Sequence, residues 1–190
     1  MKKVWNEIKE EIHQISPRMA NSLNKPASES DIKDMEKVLS QELPSSVKEY
    51  FLTFNGQNHE GFNIPLIGDN SLLSIEEVLE TWKLQLDLFS EEEEIDFIVE
   101  NKVKPTLWDK GWIPLSDSMS GTRIILDLNP GKYGTMGQVF QLWPGRDMEE
   151  DEIVIADSFA EFSQEVLKRL REKMFEFCDD IIEFDGDWIV

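Results

Sequence analysis

The chain has 190 residues, enough for one domain with a sizeable core, and 40% of them are apolar. Nineteen Lys and Arg face 39 Asp and Glu, a net charge of −20, which disfavours contact with phosphate backbones and anionic lipid and so argues against direct nucleic-acid or membrane-surface binding. No apolar run approaches the ~18–20 residues that cross a bilayer, the two lysines after Met1 lead into no secretory-type apolar stretch, and the single Cys178 makes no internal disulfide, so a cytoplasmic protein is expected.

In chain order, Val4, Trp5, Ile8, Ile12 and Ile15 recur at helical spacing and predict an amphipathic helix that Ser16-Pro17 ends. Residues 16–27 show no period and read as a linker. Ser28 and Asp31 stand at capping-box spacing ahead of the apolar stripe Ile32, Met35, Leu39. Pro44 then opens a helix carrying Val47, Tyr50, Phe51 and Phe54, with Asn55-Gly56 as its left-handed stop. Phe62 to Ile67 reads as a strand that Pro65 demotes to an edge. Ser74 and Glu77 form a second capping box before Ile75, Val78, Leu79, Trp82 and Leu86, and residues 90–101 suggest a further helical piece beginning with Glu91 to Glu93.

The second half is β in character. Residues 112–115 and 121–128 read as strands, and Asn129-Pro130-Gly131 is a turn by its chemistry. Residues 137–143 follow as the return strand of an antiparallel hairpin, and 152–156 as a further strand. Ser158 and Glu161 cap a last helix with an apolar face from Phe159 to Met174, and residues 176–190 read as a strand or a docking tail. Helices, then a β meander, then a helix is the order of an α+β domain with an antiparallel sheet.

No phosphate-cradling loop, dinucleotide fingerprint or nucleophile elbow is present. Two dispersed histidines, His13 and His59, and one cysteine are too few for a zinc site, so no metal and no cofactor are expected. Asp117 and Asp127 are the carboxylates that stand out. Asp127 lies mid-strand among apolar neighbours and by alternation shares a face with Arg123 and Ile125. Two acids flanking a sugar bond would make a glycosidase; the plainer reading is a carboxylate that caps a turn or pairs with Arg123. Trp5 and Trp82 fall on helical apolar faces. Trp108, Trp112, Trp143 and Trp188 stand at loop or strand ends, where aromatics ringed by acids suit either a binding surface for a cationic protein or ordinary packing.

An ordered set of landmarks carries a family resemblance: Leu43-Pro44-Ser45-Ser46-Val47 and Phe54-Asn55-Gly56, then Trp108 with Gly111-Trp112-Ile113-Pro114-Leu115, then Gly121 to Pro130, Gly137-Gln138-Val139, and Asp157-Ser158-Phe159-Ala160-Glu161-Phe162. Over residues 28–172 this order resembles the SUKH superfamily, which includes fungal regulators of cell-wall assembly and bacterial immunity proteins. Residues 1–27 and 173–190 then stand as an N-terminal helix with linker and an acidic extension. The resemblance implies a central antiparallel sheet flanked by helices and no catalytic residues. The first functional expectation is an immunity protein that neutralises a basic nuclease- or deaminase-type toxin by stoichiometric binding. The alternative is a regulatory scaffold like the fungal proteins, and a carbohydrate hydrolase comes third. Asn55, Gly56, Gly121 and Gly137 are expected to fix the fold. Trp108, Asp117, Asp127, Gln138 and Trp143 are expected to line the partner-binding face.

Overall fold

The computed structural model describes residues 1–58, 64–89, 102–143, 154–186 and 188–189. The expected helix at 90–101, with its glutamate run, His59 and the first residues of the 62–67 and 152–156 strands lie outside the described residues.

Four helices come first: α1 (Lys2–Ile15), α2 (Pro17–Asn21), α3 (Glu29–Leu39) and α4 (Ser45–Phe51). Ser16 ends α1, its N–H bonding Ile12, and its hydroxyl accepts from Met19 to start α2. The segment read as a linker therefore contains a turn of helix, too short to show a period, that buries Met19 and Ala20. The capping box at Ser28 and Asp31 is complete, with both reciprocal bonds made. Helix α4 ends at Leu52, in ordinary right-handed conformation, so Asn55-Gly56 does not stop it. Asn55 instead accepts through Oδ1 from the N–H of Ile75, 2.9 Å away, and caps the helix that follows. Gly56 has φ +65, and a Cβ there would collide with the Leu73 backbone.

Residues 64–67 do not form the expected strand; Ile67 makes an isolated bridge to Asn70 around a tight turn. The strand lies just beyond, as β1 (Ser71–Leu72), and leads into α5 (Ile75–Leu88) with its Ser74–Glu77 capping box. Next come β2 (Trp112–Pro114), β3 (Ser116–Asp117), β4 (Arg123–Asp127), β5 (Gln138–Leu142), β6 (Val154–Ala156) and α6 (Phe159–Glu172). The main sheet runs β2-β4-β5-β6, antiparallel throughout, and β1 pairs with β3 beside it. This is the α+β architecture that the element order predicts. At the start of α6, Glu161 reaches back to the N–H of Asp157 rather than of Ser158, so that capping box is displaced by one residue.

The core lies between the main sheet and the helices that pack on it. Helix α1 packs on α6, and Trp5, Tyr50 and Phe159 form an aromatic cluster with ring centroids 4.6–6.0 Å apart. Helix α5 packs on β2, and the indole N–H of Trp82 donates to the Lys110 carbonyl at 3.0 Å. The N-terminal helix is thus part of the core: Trp5, Ile8 and Ile12 are fully buried. Residues 175–184 form a hairpin, β7 (Phe175–Cys178) with β8 (Ile181–Phe184), in place of a tail. No helix among the described residues is long and apolar enough to cross a membrane.

Candidate functional site

The register of the main sheet decides which candidate residues meet. Trp112, Asp127 and Gln138 stand side by side at one end of β2, β4 and β5. Arg123 and Leu142 are paired at the other end, next to Trp143. The loops 102–111 and 128–137 leave the first end together.

There the side chains form a connected polar knot. Asp127, fully buried, accepts through Oδ1 from the Asn129 N–H at 3.0 Å and through Oδ2 from Gln138 Nε2 at 2.9 Å. Gln138, also fully buried, donates to the Lys102 carbonyl at 2.8 Å and accepts from the Thr135 N–H at 3.0 Å. The Asn129 amide donates to both oxygens of Asp109 at 3.0 Å, which also receives Lys104 Nζ at 3.1 Å and the Gly111 N–H at 2.7 Å. Every bond here ties one loop to the other or closes a loop on itself. Gly134 completes the fit, since a Cβ there would strike the Lys102 carbonyl oxygen. Burial raises the Asp127 carboxyl from 3.8 to about 6, against the pull of the Asn129 and Gln138 bonds and with the nearby Asp109 charge adding to the rise.

Trp108 is buried beside this knot, its ring meeting Trp112 edge to face at 5.8 Å. Trp108, Asp127 and Gln138 were expected on a partner-binding face. The structure places them inside, where Asp127 caps a turn and Gln138 staples two loops. What this end does expose is carried by the loop tips: Leu107 at 42%, Tyr133 at 65% and Met136 at 74%. Sequence reasoning missed those three, as well as Asp109, Asn129 and Lys104. The signal for two of them was local, an Asp two residues before Gly111 and the Asn-Pro-Gly turn.

Asp117 and Trp143 lie toward the opposite end. Asp117 pairs with Arg123 Nε at 3.1 Å, and burial outweighs that attraction and raises its carboxyl above the usual range. It borders a cavity of about 340 Å³ with Glu77, Glu80, Thr81, Ser118 and the exposed Met119. Trp143 is 40% exposed. The five expected partner-binding residues therefore do not form one face. Because β4 rises ~3.3 Å per residue, Asp127 and the Arg123–Asp117 pair are roughly 13 Å apart along the strand, and the two acids do not flank a common bond. Of the glycines, Gly121 and Gly137 hold φ +83 and +85 at the turns that enter β4 and β5. His13 is exposed on the last turn of α1, and no group of three metal-ligating side chains exists among the described residues.

The family model for SMI1 / KNR4 (SUKH-1) matches residues 26–165. The "Cell wall biosynthesis/cell cycle regulator smi1" of Schizosaccharomyces pombe is 29% identical over 192 residues, covering 80% of this chain and 38% of that protein. A "KNR4/SMI1 homolog" of Yarrowia lipolytica is 25% identical, covering 83% of this chain and 29% of its own length. The "Glucan synthesis regulatory protein" of Neurospora crassa is 23% identical, covering 83% and 36%. The chain thus spans about a third of the length of the curated relatives it matches.

Proposed function

From the premise that this chain belongs to the SMI1 / KNR4 family (SUKH-1), we propose that it is a non-catalytic, protein-binding regulatory domain acting in the control of cell-wall polymer synthesis. The relatives' names support the regulatory role over toxin neutralisation. The observation that carries the binding role is the braced loop end. The buried Asp127 closes the loop 128–137 by bonding Asn129 and Gln138, those two side chains tie it to the loop 102–111, and the two loops present Leu107, Tyr133 and Met136 to solvent. Exposed apolar and aromatic tips on a rigid platform are the anchors from which protein interfaces draw most of their energy. A net charge of −20 favours a cationic partner and speeds encounter with it.

Deleting the gene in its source organism tests this. The deletion should change sensitivity to an inhibitor of wall-polymer synthesis. Wild-type protein should restore it, and a folded Tyr133→Asp/Met136→Asp variant should not. The charge also supports a second reading, capture of a basic toxin. If wall sensitivity is unchanged and the deleted strain is instead killed by a toxin encoded beside the gene, the regulatory reading fails and the toxin reading stands.

A further inference from the structure

We infer that the free edge of β7, in the C-terminal hairpin, is a docking strand for an extended cationic peptide whose basic and apolar residues alternate. The hairpin lies beyond the residues matched to the family and shares no residue with the loop rim.

The hairpin is anchored through β8. Ile182 is fully buried and bridges to Gly68, Phe184 is buried, and Arg169 both bonds the Asp185 carbonyl at 2.7 Å and stacks over Trp188 at 4.5 Å. With β8 held on its far side, β7 is the outer strand, and it pairs with nothing else among the described residues. Asp179 and Asp180, both left-handed with φ +50 and +64, form a two-residue turn flanked by Cys178 and Ile181. In such a hairpin the flanking pair exchanges its backbone bonds, and bonded and non-bonded pairs alternate from there. Glu176–Glu183 is therefore a bonded pair and Phe177–Ile182 and Phe175–Phe184 are not; the Asp185 N–H bonding the Met174 carbonyl at 3.1 Å fits this alternation. The N–H and C=O groups of Phe175 and Phe177 consequently turn outward, to the free edge.

The side chains say what kind of strand would fit. Glu176 and Glu183 stand directly opposite each other, both exposed, with no cation paired to either among the described residues. Like charges in that position repel. A basic residue on an added strand would sit beside Glu176 and relieve that repulsion. On the other face Phe177 is 42% exposed, and an apolar residue opposite it would cover the ring. Addition of a strand to an open edge takes its affinity from main-chain bonds and its specificity from such alternate side chains. A second copy of this chain fits poorly, because its own β7 (Phe175–Cys178) has no basic residue to set beside Glu176 and the chain's net charge is −20.

The test uses the full chain and fluorescein-labelled nine-residue peptides, read by anisotropy at physiological salt. A peptide alternating valine and lysine should bind; one alternating valine and glutamate, and one with the same valines and lysines in two blocks, should not. Glu176→Lys should weaken binding at least tenfold, and Glu10→Lys, an equal charge change on the exposed side of α1, less than threefold. Phe177→Pro should also weaken it tenfold, because proline removes an outward N–H and leaves the β7–β8 ladder intact; if that variant does not fold, Glu176→Lys decides. Absence of binding, equal loss with Glu10→Lys, or equal binding of the block peptide overturns the inference. So does a dimer in sedimentation that Phe177→Pro abolishes, since the occupant is then a second copy. None of these variants touches the loop rim, so the regulatory reading survives or fails separately.

Discussion

Asp127 shows how a residue's role turns on its surroundings. Its carboxyl titrates at about 6 in the fold against an ordinary 3.8, so the folded chain holds the proton more tightly than the unfolded one. The stability this contributes is complete below pH 3.8 and is lost as pH rises through about 6. The difference is on the order of 3 kcal/mol, at ~1.36 kcal/mol per tenfold change in proton affinity. Urea denaturation of wild type and Asp127→Asn in parallel should show the wild type gaining on the variant by on the order of 2 kcal/mol between about pH 7.5 and about pH 4.5. A difference that stays flat with pH would remove the titration from Asp127. The sequence marked this residue as an acid among apolar neighbours, and alternation put it on the face it occupies. Its enclosure was not legible, because the groups that enclose it come from loops whose positions depend on the whole sheet. Asn55 is a similar case: its type announced a cap, and only the tertiary fold shows that the capped helix starts twenty residues later.

At the scale of elements, the legible features were those with local causes. The boxes at Ser28 and Ser74 are set by neighbours three residues away, and both helix starts fall where the sequence predicts, whereas the hydrogen-bonded turn expected at Asn129-Pro130-Gly131 closes later, from Gly131 to Gly134, because the Gly131 N–H is taken by the Lys102 carbonyl. Helix α2 and strands β1 and β3 were not legible. Five and two residues are too few to show a period, and their burial is imposed by partners distant in sequence. Helix α1 was legible as amphipathic, but its partner was not. Trp5, fully buried against Tyr50 and Phe159, makes that partnership testable. Trp5→Ala should cost about 3–5 kcal/mol in urea denaturation. Lys3→Ala, on the exposed face of the same helix, should stay within ~0.5 kcal/mol. Equal effects would mean that α1 is not part of the cooperative core.

For the whole molecule the governing quantity is charge. Twenty uncompensated negative charges on 190 residues repel one another most strongly in the compact state. Added salt shortens the reach of that repulsion to ~10 Å at 0.1 M. The melting temperature at neutral pH should therefore rise by several degrees from low salt to about 0.3 M sodium chloride, and a falling or constant value would show the acids to be locally balanced. The binding functions argued above should respond in the opposite sense, weakening as salt rises.

The knot beneath loops 102–111 and 128–137 has a further consequence. Asp109, Asn129, Asp127 and Gln138 bond in sequence from one loop to the other, so neither loop can shift while its neighbour stays still. A partner arriving at Tyr133 or Met136 meets a shape whose conformational entropy was already surrendered when the chain folded. Little more is lost on association, and the same stiffness leaves the surface unable to mould itself to a second, differently contoured visitor. Under the proposed binding role, the buried Gln138 and the groups bonded to it would confine the protein to a narrow repertoire of partners.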